Sequence, residues 1–213
     1  MKFLNKFLYF CLFTIVFTLL LFKTSLAKPQ QSECEAIIKK IESLTDIPTG
    51  LLLGIGKAES GRIKNDEIVI WPWTINHAGK SLFFDNKNQM LKFLDKEVKK
   101  GNYNLDVGCM QINLKWHGKY FKKISDSIDP KINISYATSF LFKLKSDFKT
   151  WTEAIKRYHS SKPSKNTKYH KKVLANWNVS KDNYLKQIPN NENSLKAHIK
   201  DNQPNLFKSY EKI

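Results

Sequence analysis

The chain of 213 residues holds 36 basic and 19 acidic side chains, a net charge of +17, so its partner is expected to be anionic: nucleic acid, a membrane surface, or a wall polymer bearing carboxylates. The lysines are spread over nearly every segment, so charge alone does not choose among these. The 186 residues left after the leader described next suit one domain with its own core and exclude two.

Lys2 and Lys6 precede an apolar or weakly polar run from Phe7 to Phe22, and Ser25 and Ala27 are small residues three and one positions before a cut. Residues 1–27 are read as a signal peptide cleaved after Ala27, because the run is shorter than the ~20 residues of a spanning helix and no second apolar stretch follows. Cys11 inside it is hydrophobic filler. Cleavage removes three lysines and no acid, leaving 33 basic against 19 acidic residues and a net charge of +14. Export to a periplasmic or envelope location disfavours nucleic acid as the partner.

Ser32 and Glu35 have the form of a capping box, and Cys34, Ile37, Ile38, Ile41 and Leu44 follow at helical spacing. Pro48 breaks the chain. Residues 49–60 read as a second helix, apolar almost all round and hence a core helix, with Gly61 placed to end it. Residues 67–76 and 82–84, with a turn at 77–80, read as one small β-hairpin whose first arm Pro72 confines to an edge or bulge. Asp85 or Asn86 caps a helix to about Lys100, with Met90, Leu91, Leu94 and Val98 buried. Residues 102–118 read as loop and short helix. Asp129 and Pro130 open a further helix, and others are expected over 151–158 and 169–177. The fold class is thus mainly α, a helical domain over 28–178 with a small β-hairpin, followed by a polar, flexible tail over 179–213.

Glu59 shares a helix face with Leu52, Ile55 and Gly56, so its carboxyl emerges from apolar surroundings that raise its pKa. A carboxylic acid still protonated near neutrality is what protonation of a glycosidic oxygen requires. Position alone favours a solvated helix-end Glu at the surface. Asp106, the nearest second acid, precedes a Val-Gly turn and reads as a backbone cap. Cys34 and Cys109 are read as an extracytoplasmic disulfide tying the first helix to the loop around Gln111, with two separate buried thiols as the alternative. His77, His117, His159 and His170 show no compact spacing, and neither a metal nor a cofactor is expected.

Four segments settle the reading of Glu59. Gly56, Glu59, Ser60 and Gly61; Asp106, Gly108, Met110, Gln111 and Asn113; Asp129, Asn133, Tyr136, Ala137, Phe140 and Leu141; and Trp151, Ala154, Arg157, Tyr158 and His159 together resemble, in order and spacing, the lytic transglycosylases of the soluble SLT type. Residues 71–76, with Gly79 and Lys80, look like the branch of that family in which an aromatic hairpin follows the catalytic Glu. The resemblance covers roughly residues 34–177.

It implies a lysozyme-like fold with a sugar-binding cleft and cleavage of the β-1,4 bond between N-acetylmuramic acid and N-acetylglucosamine. Glu59 would act first as acid and then as base on the muramic C6 hydroxyl, leaving a 1,6-anhydro end. It implies substrate contacts from Ser60, Met110, Gln111, Asn113, Tyr158 and His159, although His159 stands where many relatives carry Asn. Tyr158 would orient Glu59. Trp71, Trp73 and Trp116 could stack on sugars or pack in the core, with Trp73 the candidate taken forward. The expected partner is peptidoglycan, with an envelope-spanning secretion or conjugation machine as the second partner considered, and the chain is expected to be a monomer that binds no nucleic acid. The rivals are a muramidase that spends water on the same bond and a silent wall-binding scaffold.

Overall fold

The computed structural model describes residues 32–187; the expected signal peptide, and the part of the expected tail beyond residue 187, lie outside the described residues. Helix α1 (Glu33–Glu42) starts at Ser32, whose hydroxyl accepts from the Glu35 N–H, and buries Cys34, Ile38 and Ile41. Helix α2 (Leu51–Ser60) lies wholly in the core, with Leu51, Leu52 and Ile55 sealed from solvent. Its first residue follows Gly50, which has no side chain to cap it. The buried Glu42 carboxylate substitutes by accepting from the N–H groups of Gly50, Leu52 and Leu53, satisfying donors that a helix start leaves orphaned.

The single expected hairpin is two sheets. Strands β1 (Gly61–Lys64) and β2 (Glu67–Ile70) pair antiparallel around Asn65 and Asp66, both with positive φ, as a two-residue turn requires. Strands β3 (Thr74–His77) and β4 (Lys80–Phe83) pair around Ala78 and Gly79. Pro72 separates β2 from β3, so what reads as one long first arm belongs to two ladders. Gly61 continues directly into β1 in extended conformation instead of terminating α2 in the left-handed region. The expected loop over 102–118 contains strands β5 (Leu105–Val107) and β6 (Ile112–Asn113), which complete a sheet of order β4-β3-β5-β6.

Helix α3 (Lys87–Lys99) is capped by Asn86 and packs Met90 and Leu94 beneath that sheet with Ile75, Leu105 and Val107. Short helix α4 (Leu114–His117) and two 3-10 turns, Gly118–Tyr120 and Ile124–Ile128, lead to α5 (Pro130–Phe148), capped by Asp129. Helices α6 (Trp151–His159) and α7 (Pro163–Gln187) complete the main core with α1, α2 and α5. Helix α7 begins six residues before the expected span and runs ten beyond it, so residues 179–187 are helical where a tail was expected, and Ser180 is buried.

Two close approaches position the cleft. A Cβ at Gly54 would lie 2.9 Å from the Trp177 backbone, so only glycine lets α7 lie this tightly against α2. Gly108 has φ +79°, and a Cβ there would meet the Asn133 side chain at 2.7 Å. Asn133 is buried and bridges the Met110 N–H, the Val107 carbonyl and the Ser127 carbonyl. The turn between β5 and β6 is therefore seated on α5.

Candidate active site

Glu59 is the penultimate residue of α2, at the end where the helix carbonyls point outward and carry negative partial charge. It lines a cleft of about 710 Å³. Desolvation pushes its carboxyl up to about 7, and the Asp106 carboxylate pushes in the same direction. Tyr169 and Lys172, both on α7, pull it down, Tyr169 more strongly. The buried Tyr169 hydroxyl has no other partner among the described residues; its approach to the carboxyl falls short of full hydrogen-bond geometry.

The opposite wall comes from the β5–β6 turn. Asp106 accepts a 2.8 Å hydrogen bond from Asn113 Nδ2, and burial raises its pKa. It is a half-buried carboxylate of the cleft, not the backbone cap its sequence position suggests. Asn113 also caps α4 through Oδ1, which accepts from the N–H groups of Lys115 and Trp116. Gln111 holds φ at +47°, a conformation rare outside glycine and frequent at functional sites. Its Nε2 donates to the carbonyls of Thr74 and Gly108, leaving Oε1 as the acceptor. Trp116, 67% exposed, also lines the cleft.

The disulfide Cys34–Cys109 joins α1 to this turn across 75 residues of chain, a loop closure worth about 4 kcal/mol in the chain-entropy account. The Ser60 hydroxyl donates to the Cys109 carbonyl at 2.6 Å, and the Tyr158 hydroxyl to the Met110 carbonyl at 2.8 Å. The wall facing Glu59 is thereby fastened to α1, α2, α5 and α6.

Three residues expected at the substrate lie elsewhere. Ser60 is buried and spends its hydroxyl on Cys109, one position along α2 from Glu59 and hence turned away from the cleft. Met110 is fully buried in the main core, because its backbone, not its thioether, serves the wall. Trp73 is half-buried and packs against the core of the four-stranded sheet and α3. Tyr158 lines the cleft, yet its hydroxyl is directed to Met110 and not to Glu59. The tyrosine that engages Glu59 is Tyr169, which the sequence reading leaves unassigned. His159 lines the cleft and stacks on Tyr169 with ring centroids 4.5 Å apart and an 11° interplanar angle. Burial lowers its pKa, keeping it neutral.

The profile of the transglycosylase SLT domain matches residues 92–179. This stretch is an SLT domain. It runs from within α3 to within α7 and includes Asp106, Gln111, Asn113, Tyr158, His159 and Tyr169, while Glu59 lies ahead of it. The SLT match agrees with the mainly helical, lysozyme-like architecture described above, points to a transglycosylase, and implies peptidoglycan as the substrate. Comparison with curated proteins and with solved structures gives no significant match.

An SLT cleft needs a proton donor, acceptors and donors for acetamido groups, and an aromatic surface. Here the cleft presents the Glu59 carboxyl, the Gln111 Oε1 acceptor and the exposed Trp116 ring, while Asn113 spends its Nδ2 on Asn104 and Asp106 and its Oδ1 on the N–H groups of Lys115 and Trp116. The signal for Tyr169 is indirect and lies in Gly54, where Trp177 of the same helix approaches: a glycine in a core helix marks a close approach, but which helix approaches is a long-range fact.

Proposed function

We propose that the protein is a lytic transglycosylase that cleaves the β-1,4 bond between N-acetylmuramic acid and N-acetylglucosamine and leaves a 1,6-anhydro end. The observation that carries this reading is the Glu59 carboxyl, desolvated at the cleft surface with a pKa near 7. At neutral pH such a group is available in both protonation states, as a residue that gives and then recovers one proton requires.

Protonated Glu59 donates to the glycosidic oxygen as the bond to the muramic C1 breaks, and the N-acetylglucosamine leaves with that proton. The resulting carboxylate takes the proton of the muramic C6 hydroxyl as O6 attacks C1. Glu59 ends protonated, as it began, and no water is consumed. Tyr169 orients the carboxyl and steadies its charged form between the steps. The expected signal peptide and the disulfide both support a site of action outside the cytoplasmic membrane.

Asp106 favours a second reading. A partly buried carboxylate that couples electrostatically to Glu59 could direct water at the same bond, as paired carboxyls do in hydrolases. Mass spectrometry of muropeptides released from purified peptidoglycan separates the two, with Glu59→Gln as control. Anhydro ends that vanish in the variant are the expected result; reducing ends would make the enzyme a muramidase, and undiminished cleavage by Glu59→Gln would refute both.

A further inference from the structure

One side of the cleft carries a charge pattern that acid–base chemistry on a neutral glycosidic bond does not require. Lys165, Lys168 and Lys172 all line it, and their spacing of three and four residues places them on one face of α7. Lys172 Nζ donates to the Ala58 carbonyl, fastening α7 beside Glu59. Lys165 and Lys168 are exposed and make no ion pair among the described residues. The lining holds only two carboxyl groups. Glu59 is substantially protonated near neutrality, and Asp106 is already hydrogen-bonded by Asn113. The cleft therefore has two cations on flexible stems that are paired with no carboxylate among the described residues.

Resting on the glycan-strand reading above, we propose that Lys165 and Lys168 bind the stem-peptide carboxylates of the muramic residues, so that the enzyme selects strands that still carry their peptides. The sugar backbone itself offers hydroxyls and neutral acetamides, which do not need ammonium partners. Stem peptides branch from the muramic lactyl group, project sideways from a strand lying in the cleft, and bear several carboxylates. Lysine suits this role because a mobile point charge follows a flexible ligand, whereas an arginine fork demands fixed geometry.

The test compares the protein with the charge-reversed variant Lys165→Glu/Lys168→Glu on peptide-bearing strands and on strands stripped by an amidase, which keep the lactyl carboxylate but no peptide. A third substrate has its stem carboxylates converted to amides. The ratio of kcat/KM on peptide-bearing to stripped strands is expected to fall about tenfold in the variant, mainly through KM, because paired rim charges contribute modestly to binding. Amidated stems should abolish the wild-type preference, as should raised salt. An unchanged ratio, or an equal loss on stripped strands, overturns the proposal. A wild-type protein that cleaves none of the three sinks the transglycosylase reading itself. Both lysines are exposed, and an unchanged thermal melt of the variant separates lost recognition from lost folding.

Discussion

A desolvated carboxyl group sits at each end of helix α2, Glu42 buried and Glu59 half-buried at the cleft, and the two have opposite surroundings. Glu42 sits at the amino end, where three N–H groups converge on its oxygens. Burial still raises its pKa to about 6, but those donors leave it ionised at neutral pH. Glu59 sits at the carboxyl end, where the helix offers carbonyls instead of donors, and rises further, to about 7. The same side chain, desolvated against the same helix, is a structural cap at one end and, in the function proposed, a proton carrier at the other. Burial of an acid does not by itself mark a catalytic group; desolvation in a cleft, without backbone donors, makes one a candidate.

The largest expected effect that would break this contrast concerns chemistry. Glu59→Gln should lower the rate of glycan cleavage by at least about a thousandfold, the scale of a lost general acid, measured as muropeptide release. Glu42→Gln should leave cleavage by the folded fraction within about twofold of wild type, since a remote structural change acts through stability.

Stability should separate the two in the other direction. Glu42→Ala strands three buried donors and is expected to cost about 3 kcal/mol in urea unfolding at pH 7. Glu59→Gln should stabilise. A carboxyl whose folded pKa is raised binds its proton more tightly in the native state than in the unfolded chain. Wild-type stability therefore falls as pH rises from about 4.5 to about 7 and then levels off. Removing that group should make the variant more stable than wild type at pH 8 by on the order of 2 kcal/mol, after discounting for its partial exposure, and should flatten the slope between those pH values. A less stable Glu59→Gln protein at pH 8 would show that the carboxylate is supported by donors and erase the distinction.

The smallest effects sharpen the tuning of Glu59. Tyr169→Phe removes a group that lowers its pKa, so the alkaline limb of the rate profile should move to higher pH. Asp106→Asn removes a charge that raises it, so the limb should move to lower pH. Displacement in the same direction for both would mean that the limb belongs to another group.

How much of this could be read in advance depends on the range of the interaction. Ser32, Asn86 and Asp129 cap the helices that their side chains announce, because capping is settled within three residues. The β1–β2 hairpin is missed because its turn, Asn65 and Asp66, lacks the glycine that usually marks one, and β1 is almost wholly exposed. Strands β5 and β6 are three and two residues long and exist by pairing, β5 back onto β3 and β6 onto β5, so no periodicity reveals them. Within the site, Glu59, Gln111 and Asn113 occupy the cleft assigned to them. Ser60 and Met110 adjoin it in sequence but support it from behind. Tyr169 and the lysines of α7 depend on a helix crossing more than a hundred residues away, which the chain reports only as a glycine at position 54.

That crossing limits how the enzyme could change its substrate. Trp177 Nε1 donates to the Thr49 carbonyl near one end of α2, and Lys172 holds the Ala58 carbonyl near the other. The cleft wall is thus pinned at two points like a beam on two supports, with no glycine-sized clearance left between them. Variation among descendants of this sequence is steered away from the backbone and onto the side chains that project from the beam, and positions 165 and 168 become the ones where a new diet can evolve without rebuilding the jaw.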